Sequence, residues 1–253
     1  MKKLATIILI LVILFALIAF LTRKPQKAVS FKPVIKGRIA IVLDDWGYNL
    51  NNLRSIEEIK YPLTASILPN IAYTRKVAEE LHSRGFEVIL HLPMEPEEKL
   101  SLEKNTIKTS MEKTQILNIL DSDLSSIAYA DGVSNHMGSK ATSDLKTMEV
   151  IFKELKNRHL YFLDSFVTSK SVCSDLARKI GLRSFTRDVF LDNLEEREYI
   201  KQQIYKLKAK ARAKGFAIGI GHDRKVTLEV LREVMPQIAK EGYKFVFLSE
   251  LSR

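Results

Sequence analysis

The chain has 253 residues, 46% of them apolar and 28% charged, with a single cysteine, Cys173. That composition is globular, and it excludes a disordered chain, an intramolecular disulfide and a cysteine-based zinc site. The net charge of +10 first points to nucleic acid or an anionic membrane surface, and its placement decides between them.

Residues 1–27 contain Lys2, Lys3, Arg23, Lys24 and Lys27 and no acid, so half of the excess charge lies there. Between the two basic clusters, residues 4–21 are Leu, Ile, Ala, Val and Phe with one Thr. At 1.5 Å per residue such a helix is about 27 Å long, close to the thickness of a bilayer's hydrocarbon core. It lacks the shorter apolar region and the A-x-A-like cleavage site of a signal peptide, and it lacks the polar face of a core helix. Residues 1–21 are therefore expected to be an uncleaved signal anchor, a transmembrane helix in the cytoplasmic membrane. Basic residues flank both ends, so the positive-inside rule does not decide the orientation. The short tail before a large domain favours N-in, C-out, with the domain on the extracytoplasmic, periplasmic side of the cell envelope.

Residues 22–37, with two Pro and four Lys plus an Arg, read as a linker. From 38 to 253 the pattern is a single domain. Strand-like runs at 38–43, 64–68, 87–92, 128–133, 160–163, 184–189, 216–221 and 245–248 alternate with helical periodicity near 49–60, 72–84, 113–126, 144–157, 172–180, 195–214 and 225–241. Alternating β and α units imply a parallel sheet covered by helices. Polar residues gather where most strands end: Asp44 and Asp45, His91, Asn135 and His136, Asp164, Arg187 and Asp188, and His222. A doubly wound sheet focuses ligands at one switch point, whereas a (β/α) barrel brings every strand end to one mouth. The expected fold is α/β, an irregular or seven-stranded barrel.

Of the five histidines, His82 lies in a helical run and His159 just before a strand, where surface or capping positions account for them. His91, His136 and His222 each close an apolar strand and open a loop, and an Asp pair follows the first strand. Successive side chains on a strand point to opposite faces, so Asp44 and Asp45 share the mouth only if the strand ends there and the second residue turns in. Two neighbouring carboxylates can divide the work, one binding a metal and the other remaining free as a base. Carboxylate with imidazole suits Zn²⁺ and also other divalent metals such as Fe²⁺, Co²⁺ or Ni²⁺. With no thiolate available, such a site keeps a position open for water, which is the catalytic arrangement.

The sequences L-D-D-W-G at 43–47, H-L-P-M-E-P at 91–96, N-H-M-G-S at 135–139, F-L-D-S at 162–165, R-D-V-F-L-D-N at 187–193 and I-G-I-G-H at 218–222 resemble the divergent polysaccharide deacetylase family, a branch of the NodB-like carbohydrate esterases. The resemblance covers about residues 38–252. It implies a distorted (β/α)7 barrel with a divalent metal, zinc foremost, at the strand C-termini. By resemblance Asp44 is the general base, Asp45 a metal ligand, His91 the first metal histidine and His222 the general acid. The family's His-x-x-x-His motif is broken, since Glu95 stands four residues after His91, and its Arg-x-Pro segment is replaced by Asn135-His136. His136 is the preferred third ligand because it keeps two imidazoles and one carboxylate, with Glu95 the alternative. Asp164 and Asp188 would orient or charge-balance a histidine, Arg187 would hold a carboxylate, and Trp46 and Tyr48 would stack on a sugar ring.

The implied function is metal-dependent hydrolysis of acetyl groups on an envelope polysaccharide or peptidoglycan-type glycan. The alternative is a catalytically silent barrel of the same type that binds a glycan or an envelope protein. The basic stretch at 195–215 reads as a solvated helix face. Nucleic acid and nucleotides are not expected as partners: no aromatic-basic interleaving, helix-turn-helix pattern, phosphate loop or dinucleotide fingerprint occurs.

Overall fold

The computed structural model describes residues 2–22 and 35–251, so most of the linker expected at 22–37 lies outside the described residues. The chain forms two compact units, Met1–Pro33 and Val34–Arg253. In the first, α1 spans Lys2–Leu21, and its described large apolar side chains, beginning with Ile7, are exposed. Among the described residues no helix is long and apolar enough to cross a membrane. The side chains of residues 2–6 and of Leu9 are not among those described, so the described part of α1 falls short of the span read from the sequence.

The second unit runs β1 (Gly37–Trp46), α2 (Leu53–Glu57), β2 (Thr64–Ile67), α3 (Thr74–Ser83), β3 (Glu87–Met94), α4 (Lys113–Ser126), β4 (Ala130–Met137), α5 (Leu145–Asn157), β5 (Tyr161–Asp164), α6 (Cys173–Ile180), β6 (Ser184–Thr186), β7 (Val189–Phe190), α7 (Arg197–Lys214), β8 (Phe216–His222), α8 (Lys225–Lys240) and β9 (Tyr243–Phe245). The helices follow their apolar stripes. In α5, Met148, Ile151, Phe152 and Leu155 recur at helical spacing and are buried, and Asp144 caps the first turn by accepting from the Thr147 N–H at 2.8 Å. Two sequence expectations need correction. Only Leu53–Glu57 of the stretch 49–60 is helical, after an Asn-rich turn. The last strand lies at Tyr243–Phe245, and Leu248–Glu250 forms a 3₁₀ turn instead.

All the strand pairs are parallel, in the order β6-β5-β4-β3-β2-β1-β8-β7, with β9 beside the start of β1. The irregular or seven-stranded barrel expected from the sequence takes the form of a curled parallel sheet, a half-barrel open along one side. Strands β6 and β7 do not pair with each other, and chain continuity explains why. They are successive pieces of one short segment, and parallel neighbours need a crossover of a dozen or more residues. The Arg187 N–H bonds the Asp164 carbonyl of β5, while the next N–H, of Asp188, bonds the Ile218 carbonyl of β8. The chain thus steps from one free edge of the sheet to the other at 187–188.

Strand parity sorts the side chains into two cores. Between sheet and helices lies a large apolar layer containing Ile39, Ile41, Leu43, Val88, Leu90 and Leu92. The concave side holds a smaller cluster with Ala40, Val42, Ile89, Tyr161, Leu163, Ile218 and Ile220. Near the amino-terminal strand ends Val246, Leu248 and Leu251 complete that inner cluster. They are fixed by buried Glu87, whose carboxylate accepts the N–H groups of Leu248 and Ser249 at 2.9 and 3.0 Å. Continuing the inner parity toward the other end gives Asp44, Ser66, His91, Ser134, His136 and His222. The polar site is thus the upper layer of the same face.

Loops above the sheet are tied down by Asp123 of α4, which is fully buried and accepts from Asn70 at 2.8 Å and Asn105 at 3.3 Å. Burial raises its pKa to about 6, against the opposing pull of those two amides. A raised carboxyl pKa means that the stabilising contribution is complete at acidic pH and is lost as pH rises through about 6. Asp123→Asn is expected to stabilise the fold at pH 7, on the order of 2 kcal/mol, with little change at pH 4. Urea unfolding at the two pH values checks this.

Candidate active site

The first strand shows how two consecutive aspartates reach one mouth. Along β1 and β2, Leu43 pairs with Ala65 and Trp46 with Ile67, so β1 carries one residue more than its partner over that stretch. The surplus is taken up at Asp45, whose φ of +66° lies in the left-handed region. Aspartate tolerates that region better than most residues, and the bulge turns its carboxylate toward the side already occupied by Asp44. The kink is braced on both sides: the Asp44 carbonyl accepts the Asp223 N–H at 2.9 Å, and the Trp46 carbonyl accepts the Leu68 N–H at 2.9 Å.

Three donor atoms converge. Asp45 Oδ1 lies 3.2 Å from His91 Nε2 and 3.2 Å from His136 Nδ1, and the two nitrogens are 3.2 Å apart. In a tetrahedral zinc site with metal–ligand distances near 2.0–2.1 Å, neighbouring ligand atoms lie about 3.3–3.4 Å apart, so this triangle has the right edge. Asp45 Oδ1 is buried and forms no hydrogen bond, although two imidazoles face it. An orphaned carboxylate oxygen aimed at two imidazole nitrogens is the donor set of a divalent cation, and these three residues form the candidate metal group among the described residues. Burial alone would raise the Asp45 pKa, but the facing imidazoles outweigh it and hold the carboxyl well below the usual range.

Each ring has a polar neighbour on its other nitrogen, a hydrogen bond for His91 and a facing carboxylate without one for His136. His91 Nδ1 meets Ser134 Oγ at 2.8 Å, and His136 Nε2 lies 3.3 Å from Glu103 Oε1. Tyr48 donates its hydroxyl to the same Glu103 oxygen at 3.3 Å. Asp44 sits beside the triangle, its Oδ2 3.7 Å from His91 Nε2 and its Oδ1 buried without a partner. Burial raises its pKa, partly offset by His91. His222, aligned with Asp44 across β1 and β8, places Nε2 3.8 Å from Asp45 Oδ2, while Nδ1 is held by Asp192 Oδ1 at 2.9 Å. Burial would depress the His222 pKa, but Asp192 outweighs it and keeps the imidazolium favoured above its ordinary range.

Several residues expected at the site make contacts other than those expected of them. Glu95 is committed to Lys140 Nζ at 2.8 Å and to the Thr109 N–H and hydroxyl, so it does not join the triangle. Asp188 pairs with Lys214 and accepts the Ile218 N–H; the acid that orients a histidine is Asp192, four residues on. Asp164 caps the loop after β5 through the Phe166 N–H and the Ser171 hydroxyl. Arg187 donates to the carbonyls of Ser165 and Phe166, not to a carboxylate side chain. Asn135 braces that loop by accepting the Ser165 N–H. Trp46 is fully buried in the layer beneath the helices and has no surface to offer a sugar. Tyr48, in contrast, is exposed.

Comparisons with known proteins bear on the family and the fold. The profile described as "Divergent polysaccharide deacetylase" matches residues 41–252. The chain belongs to the divergent polysaccharide deacetylase family. An uncharacterized Escherichia coli protein, YibQ, is 36% identical over 203 residues, 80% of this chain; the chain spans 64% of that relative's length. The crystal structure of an uncharacterized protein from Agrobacterium tumefaciens superposes with a TM-score of 0.83 at 20% identity, covering 90% of this chain and 94% of that one. The catalytic domain of a peptidoglycan N-acetylglucosamine deacetylase from Eubacterium rectale shares the fold at a TM-score of 0.52 and 16% identity, covering 90% and 95%.

Asp192, Ser66, Ser134 and Glu103 are site residues that sequence reasoning does not single out. Asp192 stands in the same R-D-V-F-L-D-N stretch as Asp188, and only the break between β6 and β7 decides which acid reaches His222. The serines carry a signal, as small polar residues at inward positions of apolar strands. Glu103 carries none, because a loop path brings it to His136. This geometry distinguishes the two candidate third ligands. His136→Ala is expected to weaken Zn²⁺ binding at least about 100-fold, whereas Glu95→Ala leaves it within about two-fold, read by chelator competition with the purified protein.

Proposed function

We propose that this chain is a metal-dependent hydrolase that removes acetyl groups from an envelope polysaccharide or peptidoglycan-type glycan. The observation that carries the reading is the 3.2 Å triangle of Asp45 Oδ1, His91 Nε2 and His136 Nδ1, with one free carboxylate and one acid-held imidazole beside it. A divalent cation, zinc foremost, held by those three residues would supply Lewis-acid polarisation of an acetyl carbonyl and a more acidic water.

The rest of the chemistry belongs to side chains. Asp44 is the general base: its Oδ1 is buried and unpartnered, and desolvation makes its carboxylate a better proton acceptor than an exposed one. His222 is the general acid that protonates the departing amine or alcohol. Asp192 holds its Nδ1–H, directs Nε2 to the mouth and favours the charged ring. Glu103 and Tyr48 close one side of the site over His136. Exposed Tyr48, Leu100, Phe166 and Leu194 lie on loops that follow β1, β3, β5 and β7 and offer apolar surface to the faces of sugar rings.

Acetate release from N-acetylglucosamine oligomers and O-acetylated glycans tests the reading. Release should be abolished by a chelator and restored by Zn²⁺, and Asp45→Ala should lose both metal and activity. Asp44→Asn should keep the metal and lose roughly 10²–10⁴-fold in kcat. Bound metal with no acetate from either substrate class would overturn the deacetylase assignment and leave a glycan- or protein-binding barrel.

The same proposal places the enzyme at the cytoplasmic membrane, with the barrel-like unit facing the periplasm. Its support is the uncharged apolar run at 4–21 between basic clusters and the unbroken helix over Lys2–Leu21. Full-length protein is expected to stay with membranes after alkaline extraction, and a chain lacking residues 1–21 should appear in the soluble fraction. Release of the full-length chain by alkali or salt alone would remove the anchor from the proposal.

A further inference from the structure

The open side of the curled sheet is a cleft of about 430 Å³, lined by residues of β6, of the start of β8 and of α7. It extends from Phe166, just past the carboxyl end of β5, to Phe216, the first residue of β8, so it leads away from the level of the mouth. Arg187, in its wall, stacks over the Phe190 ring at 4.8 Å, and Phe190 packs on the His222 ring at 5.2 Å. Two ring contacts thus separate the cleft from the proposed general acid.

Charge in the cleft is unbalanced. Its one acid, Asp188, is already met by Lys214 Nζ at 2.6 Å. Arg187 donates Nε and Nη2 to the Ser165 and Phe166 carbonyls at 2.6 and 3.0 Å, which leaves Nη1 without an acceptor among the described residues. Neither Arg187 nor Lys210, exposed on α7, forms an ion pair with any described carboxylate. A half-buried guanidinium without a counter-charge is unfavourable by itself, and an anion answers it. A planar guanidinium matches a carboxylate with paired donors, and the rings of Phe166 and Phe216 offer apolar surface to sugar faces.

We propose that this cleft is a second glycan subsite, which binds carboxylates carried along a peptidoglycan-type strand while an acetylated sugar of the same strand lies at the mouth. The inference rests on the deacetylase reading above and deepens it by naming the substrate class. A neutral strand would leave Arg187 and Lys210 unanswered, so the cleft selects an anionic glycan over a neutral one. Selection is electrostatic and separate from the chemistry, because the charge that reads the strand stands on α7 and on the segment between β6 and β7.

The readout is a ratio of affinities in full-length, metal-free protein, measured by calorimetry. The anionic probe is a peptidoglycan strand freed of its stem peptides, with its lactyl carboxylates exposed, and the neutral probe is an N-acetylglucosamine oligomer of the same length. Lys210→Ala should lower the anionic-to-neutral ratio about two- to five-fold, and Lys210→Glu at least about five-fold. Lys210→Arg should keep it, and added salt should lower it in wild type. Lys76→Glu on α3, outside the cleft, makes the same change in net charge and should leave the ratio within about two-fold.

An unchanged ratio in Lys210→Glu, or a wild type that prefers the neutral strand, would overturn the subsite. Polyglutamate that binds more tightly than the anionic strand and displaces it would overturn the glycan and give the cleft to an acidic protein. A wild type that prefers the anionic strand but releases no acetate with Zn²⁺ present would overturn the deacetylase reading alone, and the subsite would stand.

Discussion

A left-handed residue in the middle of a parallel strand costs backbone energy, roughly 1–2 kcal/mol for a residue other than glycine, and the site rests on one. Asp45 at φ +66° is the extra residue of β1. Without it, alternation would send one of the two adjacent carboxylates outward into the layer under the helices, where Leu43 and Trp46 pack. With it, Asp44 and Asp45 both face the concave side, one left free and one aimed at two imidazoles. The hydrogen bonds from Asp223 and Leu68 to the flanking carbonyls hold the kink, so the strain is opposed by the loops after β8 and β2. A local irregularity in one strand thereby gives two chemically identical side chains different surroundings on one face.

Electrostatics follow from that placement. Burial of carboxylates is unfavourable unless charge or hydrogen bonds answer it, and the site answers each acid differently. Two imidazoles outweigh the burial of Asp45. His222 does the same for Asp192, which also receives the Thr227 hydroxyl and the His222 N–H. Asp44 receives less, and its pKa is raised. Environments that push neighbouring carboxyl groups in opposite directions are how one mouth can contain both a ligand and a base. The curled sheet makes this possible because its inner face, apolar at one end around Val42, Ile89 and Leu163, excludes water beneath the polar layer.

Much of this is legible in the sequence because strand parity and strand-end polarity survive folding. The alternating β and α runs imply the parallel sheet, and Asp44, Asp45, His91, His136 and His222 do meet at one mouth. Apolar runs alone set the strand ends too short: β1, β3 and β4 continue to Trp46, Met94 and Met137, so the polar residues are ladder residues and not loop openers. Closure of the sheet is not legible because 184–189 looks like one strand, while its two halves serve opposite edges. Asp188, expected to orient or charge-balance a histidine, instead meets Lys214 and the Ile218 N–H for the same reason. The roles expected of Glu95 and Arg187 depend on partners far along the chain, Lys140 and the Ser165 carbonyl, which no local pattern displays.

The third donor of the triangle, His136 Nδ1, is held by the sheet and not by a loop. His91 pairs in register with Ser134, and His136 lies two residues farther along the neighbouring strand, on the same face and nearer the mouth. Both imidazoles therefore come from adjacent strands of one ladder, where backbone hydrogen bonds fix their separation. A ligand four residues after His91 would instead stand beyond the end of β3, at Glu95, where the chain is drawn toward Thr109 and Lys140. Ligands carried on paired strands are held more tightly than ligands on loops. His136 thus places the third donor of the triangle on the sheet, while the loop after β3 brings Glu103 to within 3.3 Å of its Nε2.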